Sequence, residues 1–339
     1  MLCTAAASLA GCASTSPRTD DSTNTPALAA PVEFTVTDWT FADAVGSRIE
    51  TPSYTIFTTD PNPVVERRLP AFLEDSLARY RSFAGAQLPT IQTQLTTYVM
   101  ATRPQWAALV QREVSARNAS VYLRIRRGGF AERGRAYFFD LGVQDTFATA
   151  AHEGWHQYTQ ATFRQPLPLW LEEGIAASME GFRWNPQQPN RAVFLPWSNI
   201  ERFDRLRDRV AATGPIPLRE LLVSRPQDLI VSNQSGALDY YAHVWALAMF
   251  LQEAEGGRYR PGLAKLLEDA ATGRLGVELA SRFGRRAALS SVSRRLGPEA
   301  FLAYIDDDIT RAEAAFEAFC RKVVAPGSKQ RIAAGVSPL

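Results

Sequence analysis

The spacing of hydrophobic and polar residues divides the chain into two halves. In residues 32–59 apolar and polar positions alternate, as in V-E-F-T-V-T, which predicts β-structure. Residues 64–83 and 104–112 repeat their apolar positions at helical spacing instead. Three short segments rich in β-branched and aromatic residues predict further strands, at 95–101, 121–125 and 136–141. We therefore expect strands and helices to mix in the N-terminal half.

From residue 145 onward the helical period continues to the end of the chain. Asp145 fits the N-cap of the first helix in this half. The pattern predicts helices near 145–163, 169–181, 198–212, 217–224, 237–255, 261–272, 276–284 and 297–322. The expected fold class is therefore α+β, with an N-terminal mixed sheet and its helices followed by an all-helical C-terminal half.

The first thirty residues differ in composition from the rest. The segment M-L-C-T-A-A-A-S-L-A-G-C is small and apolar, and its L-A-G-C resembles the lipobox of bacterial lipoproteins. This resemblance implies a signal at 1–12 that ends at Cys12, which would carry lipid and anchor the protein to a membrane of the cell envelope, facing the periplasm or exterior. Residues 13–30 are expected to be a disordered tether. The rest is expected to form an α+β subdomain (31–144), a helical subdomain (145–325) and a flexible tail (326–339).

Charge and cysteine content narrow the choice of partners. Thirty-seven basic and 35 acidic residues leave a formal charge of +2, which gives no general attraction to nucleic acid. Of the three cysteines, Cys3 would leave with the signal and Cys12 would carry lipid, so only Cys320 stays in the body and no disulfide forms there. The sequence leaves the oligomeric state unknown.

Two short motifs carry the candidate chemistry. Two of the three histidines stand in H-E-G-W-H as His152 and His156, a spacing that puts both imidazoles on one helix face, where they can hold one metal ion. Imidazole suits zinc, and a catalytic zinc takes three protein ligands and one water. The segment W-L-E-E-G-I-A then offers Glu172 and Glu173, of which one can point at the metal.

Together these motifs resemble the gluzincin zinc metallopeptidases, the group that includes thermolysin and the membrane alanyl aminopeptidases. The resemblance implies a thermolysin-like fold and Glu173, directly before Gly174, as the third zinc ligand. Glu172 falls on a position that varies in the family. Glu153 would be the general base on the zinc-bound water, and a peptide or protein would be the substrate.

A third motif offers candidates for a second oxyanion donor. In Y-A-H-V-W-A-L, Tyr241 matches a tyrosine that recurs in relatives of this type, and His243 lies two residues further along. Their side chains diverge by about 200° on one helix, so at most one faces a cleft, and Tyr241 is preferred. The alternative is a buried aromatic residue at Tyr241 and a capping or surface role for His243. Glu180 is either a partner that orients a ligand imidazole or an exposed helix carboxylate.

Residues just before the helix that carries H-E-G-W-H could contact the substrate. The resemblance implies that peptide adds as a strand to an edge strand above this helix, and we expect segment 136–141 to be that edge. The segment before it, residues 124–135, forms an arm that is rich in arginine. These arginines either attract acidic groups or belong to a solvated hairpin: Arg124, Arg126, Arg127, Arg133 and Arg135.

Three functions fit these observations. The first is a zinc peptidase tethered as a lipoprotein. The second is a catalytically inactive, zinc-stabilised binding or scaffold lipoprotein of the envelope, and the third is a cell-wall amidase. The presence of Glu153 favours an enzyme, because a structural zinc site has no use for a base beside an open coordination position.

Overall fold

A six-stranded mixed sheet forms the centre of the N-terminal half in the computed structural model, which describes residues 30–85, 90–226, 228–229 and 234–339. Its strand order is β1-β2-β3-β4-β6-β5. The predicted signal and nearly all of the tether lie outside the described residues. The strands are β1 (Thr35–Phe41), β2 (Ala44–Glu50), β3 (Tyr54–Thr58), β4 (Leu95–Met100), β5 (Gly129–Glu132) and β6 (Arg135–Phe139).

Parallel pairing is confined to the middle of this sheet. β3, β4 and β6 run parallel, whereas β1, β2 and β5 pair antiparallel with their neighbours. Alternation along β4 sends Val99 into the core on one face and Tyr98 into a second core on the other face. Helices α1 (Pro63–Ala84) and α4 (Val143–Thr162) cover the first face, and α2 (Arg103–Glu113) and α3 (Ala116–Tyr122) cover the second.

In the part of the C-terminal half that the structure describes, the chain is helical apart from one short hairpin, β7 (Phe182–Trp184) with β8 (Ala192–Phe194). The predicted α+β class is thus confirmed, and the hairpin is the departure from an all-helical half. Its α-helices include α5 (Leu169–Met179), α6 (Ile200–Thr213), α7 (Leu218–Val223), α8 (Gln234–Glu253), α9 (Arg260–Thr272), α10 (Leu275–Phe283), α11 (Arg285–Arg294), α12 (Glu299–Tyr304), α13 (Ile309–Val323) and α14 (Ser328–Ala333).

Two predictions for the arginine-rich region are wrong. Segment 121–125 is not a strand: it begins in α3, which buries Ala119 and stacks Tyr122 on Phe130 at 3.8 Å between ring centroids. The strand comes from the arm itself, as β5. Segment 136–141 is therefore not the edge, because β5 pairs with β6 and takes the edge position.

Three features of the C-terminal helices also differ from the prediction. The single helix expected at 297–322 is two helices, because Asp308 accepts hydrogen bonds from the backbone of Thr310 and Arg311 and so caps α13. The sequence did not predict α11. Residues 326–339, expected to be a flexible tail, include α14, whose Ile332 is fully buried.

The helix that carries H-E-G-W-H does not begin at Asp145. It begins at Val143, with Gly142 at the N-cap position in a positive-φ conformation (φ 89°). Asp145 lies in the first turn and forms an ion pair with Arg127. An acidic residue there interacts favourably with the positive end of the helix dipole. The predicted helix is thus confirmed, and the predicted N-cap is wrong.

Candidate metal centre

Helix α4 is fixed against α1 by a close contact in the middle of the metal motif. The Tyr80 hydroxyl donates a hydrogen bond of 2.7 Å to the carbonyl of Ala151. A Cβ on Gly154 would lie 2.5 Å from the same hydroxyl oxygen, so only glycine allows this approach. Trp155 on the same helix is fully buried. This packing leaves His152 and His156 on the opposite face.

Helix α5 supplies the third side chain because it packs backbone to backbone against α8. A Cβ on Gly174 would lie 2.4 Å from the carbonyl oxygen of Val244. The glycine that follows Glu173 thus lets α5 and α8 approach closely, which brings Glu173 beside the tyrosines of α8. All residues of α5 are buried.

His152, His156 and Glu173 form a cluster that can hold a metal ion. One ligand atom from each lies within 4.8 Å of the others. Glu173 Oε2 lies 3.3 Å from His152 Nε2 and 3.5 Å from His156 Nε2. This oxygen is buried, and no hydrogen bond of good geometry reaches it from the residues that the structure describes. A buried carboxylate oxygen without a partner is costly, and a cation between the three atoms would remove that cost.

In both histidines of the cluster, the ring nitrogen that faces away from Glu173 contacts a second carboxylate. His152 Nδ1 lies 2.8 Å from Glu180 Oε1, and His156 Nδ1 lies 3.0 Å from Glu172 Oε1. When Nδ1–H donates to a carboxylate, Nε2 is left as a lone-pair donor for a metal. Two Nε2 lone pairs and one carboxylate oxygen then converge. The residues present therefore fit a bound divalent cation.

Glu180 is held in place by two further side chains. Arg202 donates to both of its oxygens, at 2.8 and 3.0 Å, and Asn199 Nδ2 donates at 2.8 Å. The same asparagine caps α6 by accepting from the backbone N–H of Arg202. Glu180 is therefore the partner of a ligand imidazole, and the exposed-carboxylate alternative does not apply.

Glu172 is held differently. Thr159 donates a hydrogen bond of 2.7 Å to its Oε1, and the guanidinium of Arg295 approaches Oε2 at 3.6 Å. Arg295 also donates to the carbonyl of Leu167 at 2.8 Å and accepts from the N–H of Leu169 at 2.9 Å. The residue that the resemblance placed at a variable position thus orients His156.

The carboxylates control the protonation of this cluster. Burial disfavours the charged form of His152, but the adjacent carboxylates of Glu173 and Glu180 outweigh burial and raise its pKa to about 9. Burial also opposes the charge on Glu173, yet the His156 charge and the close contacts with both imidazoles hold the Glu173 pKa well below its usual range. In the metal-free protein a proton thus competes for the site that a cation would take.

Glu153 lies beside the cluster and stays unpaired. It is buried, and among the residues that the structure describes its carboxylate makes no hydrogen bond or ion pair. Burial raises its pKa, and the charges of His152 and His156 oppose that rise. An unpaired carboxylate with a raised pKa next to a metal site is a candidate proton acceptor.

Of the two candidates on α8, the structure brings Tyr241 to the cluster. Its ring lies 6.0 Å from the ring of His152 between centroids, and the Arg202 guanidinium lies over it at 5.3 Å. His243 is fully buried elsewhere, where its Nδ1 donates to the carbonyl of Asp239 at 2.7 Å. Burial lowers the pKa of His243 to about 4, so it is neutral. Tyr241 and His243 thus lie in different surroundings, one at the cluster and the other in the core.

The edge strand β5 runs past Glu153. A Cβ on Gly129 would lie 3.2 Å from Glu153 Cγ, so this strand backs directly onto the candidate base. In the β5–β6 register, Gly129 and Ala131 direct their N–H and C=O groups away from β6, toward the free edge. Gln160 donates to the carbonyl of Ala131 at 3.0 Å. The backbone groups of Gly129 remain available to an added strand.

Sequence reasoning missed four of the supporting residues: Thr159, Asn199, Arg202 and Arg295. Thr159 lies one turn after His156 on the same helix, and that spacing was a usable signal. The other three lie 47 to 139 residues after the histidine that they support, which is His152 for Asn199 and Arg202 and His156 for Arg295. No local pattern connects them to the motif.

Comparison with known proteins gives one finding. The chain matches the family model described as "Protein of unknown function (DUF1570)" over residues 146–272. The match includes both histidines, Glu173 and Tyr241, whereas β5 and Arg295 lie outside it. No curated protein matches the chain. Within the described part of the chain, no helix is both long and apolar enough to cross a membrane.

Proposed function

We propose that this protein is a zinc-dependent peptidase of the gluzincin type. The observation that carries the proposal is the unpaired Glu153 carboxylate beside the His152, His156 and Glu173 cluster. Two imidazoles and one carboxylate are the donor set of many catalytic zinc sites, and a site that only stabilises the fold is usually closed by four protein ligands.

In this proposal each side chain of the site has one task. His152, His156 and Glu173 would hold zinc, with Glu172 and Glu180 fixing the two imidazoles. When bound, zinc supplies an acidified water and polarises the substrate carbonyl. Glu153 accepts the proton of the attacking water at its carboxylate and then passes it to the leaving nitrogen.

Tyr241 is proposed as the second donor to the developing oxyanion. Burial and the charge of Glu173 raise the pKa of Tyr241 well above its ordinary value, so its hydroxyl keeps its proton at neutral pH. No hydrogen bond within the described residues occupies that hydroxyl. Arg202 lies over the ring at 5.3 Å, and this contact would orient it.

The free edge of β5 supports a peptide as the substrate. An extended peptide can pair with the outward-facing N–H and C=O of Gly129 and would then lie next to Glu153.

We also propose that lipid on Cys12 tethers the protein to the bacterial cell envelope. The support is the L-A-G-C sequence followed by a polar segment rich in Ser, Thr and Pro. Substrates would then be proteins or peptides of that compartment.

The test combines metal analysis with peptide cleavage on the full chain. Wild type should contain about one zinc per chain by elemental analysis, and Glu173→Gln should contain far less. With a fluorogenic peptide library, Glu153→Gln should lower kcat by about 10²–10⁴-fold and keep its zinc, because only the base is lost. Glu74→Gln, a carboxylate bonded to Thr51 and Ser53, is the matched control.

Three results would contradict the proposal. Wild type that takes up no zinc even after reconstitution would leave a binding or scaffold protein. Zinc uptake without cleavage of any library peptide would point to a stabilising metal. Cleavage that survives in Glu153→Gln would remove this residue from the mechanism.

A further inference from the structure

An arginine-lined cavity lies just before the edge strand, outside the metal centre. The cavity is open, measures about 650 Å³ and is lined by Arg103, Leu123, Arg124 and Arg126. Three of its four lining residues carry guanidinium groups, and none is acidic. We refer to these four residues as the arginine pocket.

The charges of this pocket are uncompensated, unlike those of neighbouring arginines. Arg112 and Arg135 pair with Glu113, and Arg127 pairs with Asp145. By contrast, Arg124 and Arg126 form no ion pair or side-chain hydrogen bond with any described residue. Like charges without counter-charges cost free energy, and an anion bound among them would recover it.

One member of the pocket is held rigidly. Arg103 Nη2 donates to the carbonyl of Leu123 at 2.7 Å, and its Nε donates to the carbonyl of Ile125 at 3.1 Å. The guanidinium also lies 5.9 Å from the ring centroid of Trp106. Both carbonyl partners are neutral, so the positive charge of Arg103 is fixed in place and not cancelled.

The chain connects this pocket to the edge strand beside Glu153. Arg126 is three residues before Gly129, and the ion pair from Arg127 to Asp145 attaches the intervening loop to the first turn of α4. Even a fully extended chain rises only about 3.3 Å per residue, so the three residues from Arg126 to Gly129 span at most about 10 Å. A peptide paired with Gly129 would therefore reach the pocket within two to four residues.

We propose that the arginine pocket binds an acidic side chain of the peptide substrate, two to four residues from the bond that is hydrolysed. This inference rests on the proposed peptidase function and adds its substrate class. Arg124 and Arg126 would donate charge-assisted hydrogen bonds to the carboxylate, with Arg103 as the fixed charge behind them. Peptides without acidic residues would pair with β5 and gain nothing from the pocket.

The test measures binding in the zinc-loaded full chain with Glu153→Gln, so that no turnover is needed. The probes are two fluorescein-labelled, alanine-rich nonapeptides, one with Glu at positions 2 and 8 and one with Gln there. Arg124→Ala/Arg126→Ala removes two exposed charges of the pocket. Arg285→Ala/Arg286→Ala is the matched control, because it removes two exposed charges from α11.

By fluorescence anisotropy, the Glu peptide should bind at least about tenfold more weakly to the pocket variant than to its parent, and unchanged to the control. The Gln peptide should bind all three proteins equally. Equal binding of the Glu and Gln peptides by the parent would overturn the inference. Equal losses in both double variants would do the same, since they indicate general charge attraction.

Failure of the proposed function gives a different pattern. If wild type loaded with zinc cleaves no peptide while Glu-peptide binding depends on Arg124 and Arg126, the peptidase is rejected and the anion site stands. If wild type cleaves Glu and Gln peptides with the same kcat/KM, the peptidase stands and the pocket is rejected.

Discussion

His152 and His156 are oriented by the same kind of group, a carboxylate on Nδ1, but the two carboxylates are supported in different ways. Glu180, behind His152, is held by the two bonds of Arg202, whose side chain is only 14% exposed, and by Asn199. Glu172, behind His156, is held by the Thr159 hydroxyl and by the looser, 31% exposed Arg295 at 3.6 Å.

The buried charges of Glu180 and Glu172 are therefore stabilised in two different ways. The Glu180 charge is balanced by a buried cation, so the pair is strong only while both members are present. The Glu172 charge is stabilised mainly by a neutral hydroxyl and by its imidazole partner. We therefore expect the His152 side to respond sharply to single substitutions and the His156 side to respond mildly.

The largest effect is expected for Arg202→Met. This change leaves the Glu180 carboxylate buried without its cation, and the free energy of unfolding should fall by about 3–5 kcal/mol. Urea denaturation of the metal-free protein would measure it. Adding Glu180→Gln to this variant should restore most of the loss; a double variant as unstable as the single one would show that packing, and not charge, is responsible.

A pH series should sharpen the comparison. The pKa of His152 is raised to about 9, so below that pH a proton competes with the metal, and zinc affinity should fall at least about tenfold per pH unit from 9 to 6.5. The stability of the metal-free protein depends on pH in the opposite direction. The raised pKa of His152 stabilises the fold fully below about pH 6.5, and this stabilisation is lost as the pH rises through 9.

Chelator competition between pH 6.5 and 9.5 would measure that affinity. Glu180→Gln should shift the upper limit of the pH dependence downward, because Glu180 contributes to the raised pKa of His152. Glu172→Gln should leave the His152 contribution in place and lower only that of His156, whose pKa Glu173 and Glu172 raise against burial. An affinity that does not change with pH would mean that the metal-free histidines carry no proton in this range.

At constant pH, Glu180→Gln should weaken zinc binding by about 10–100-fold, the usual effect of losing a partner of a ligand histidine. Glu172→Gln should fall at the lower end of that range, because Thr159 can still donate to the amide oxygen and no buried cation is left unpaired. Isothermal titration with zinc would compare them. A larger loss at Glu172 would reverse the ranking of the two supports.

The smallest effect is expected for Arg295→Met. An ion pair this long and partly exposed contributes about 0.2–1 kcal/mol, so zinc affinity should change less than about fivefold. The visible spectrum of the cobalt-substituted protein should stay close to that of wild type, because Thr159 still holds Glu172. A strongly altered spectrum would make Arg295 a principal support of His156.

The sequence predicted those parts of the molecule that depend on local spacing. The i, i+4 histidines, the adjacent glutamates and the amphipathic helices around them all follow from one helical period, and the structure brings His152, His156 and Glu173 together as expected. The sheet was predicted as mixed, and its parallel centre agrees with strands that alternate with helices.

What could not be predicted depends on contacts between distant segments. Residues 121–125 have strand-like composition, but stacking of Tyr122 on Phe130 fixes them at the end of a helix. The edge position of β5 follows from a two-residue turn at Arg133 and Gly134, both with positive φ. Arg202 and Arg295 are surface-like residues in sequence, and only the fold shows that they serve the histidines.

The loop between the two ligand helices has a wider consequence. Its residues Arg164 and Gln165 donate backbone hydrogen bonds to the carbonyls of Ala271 and Ala270, and Leu167 and Leu169 bond to Arg295. Ligand geometry and the folding of the C-terminal helices are therefore thermodynamically linked, since whatever orders one orders the other. Zinc should slow amide exchange in α9, which contains none of the three cluster residues, and a fragment ending at residue 272 should lose metal affinity although it contains all three.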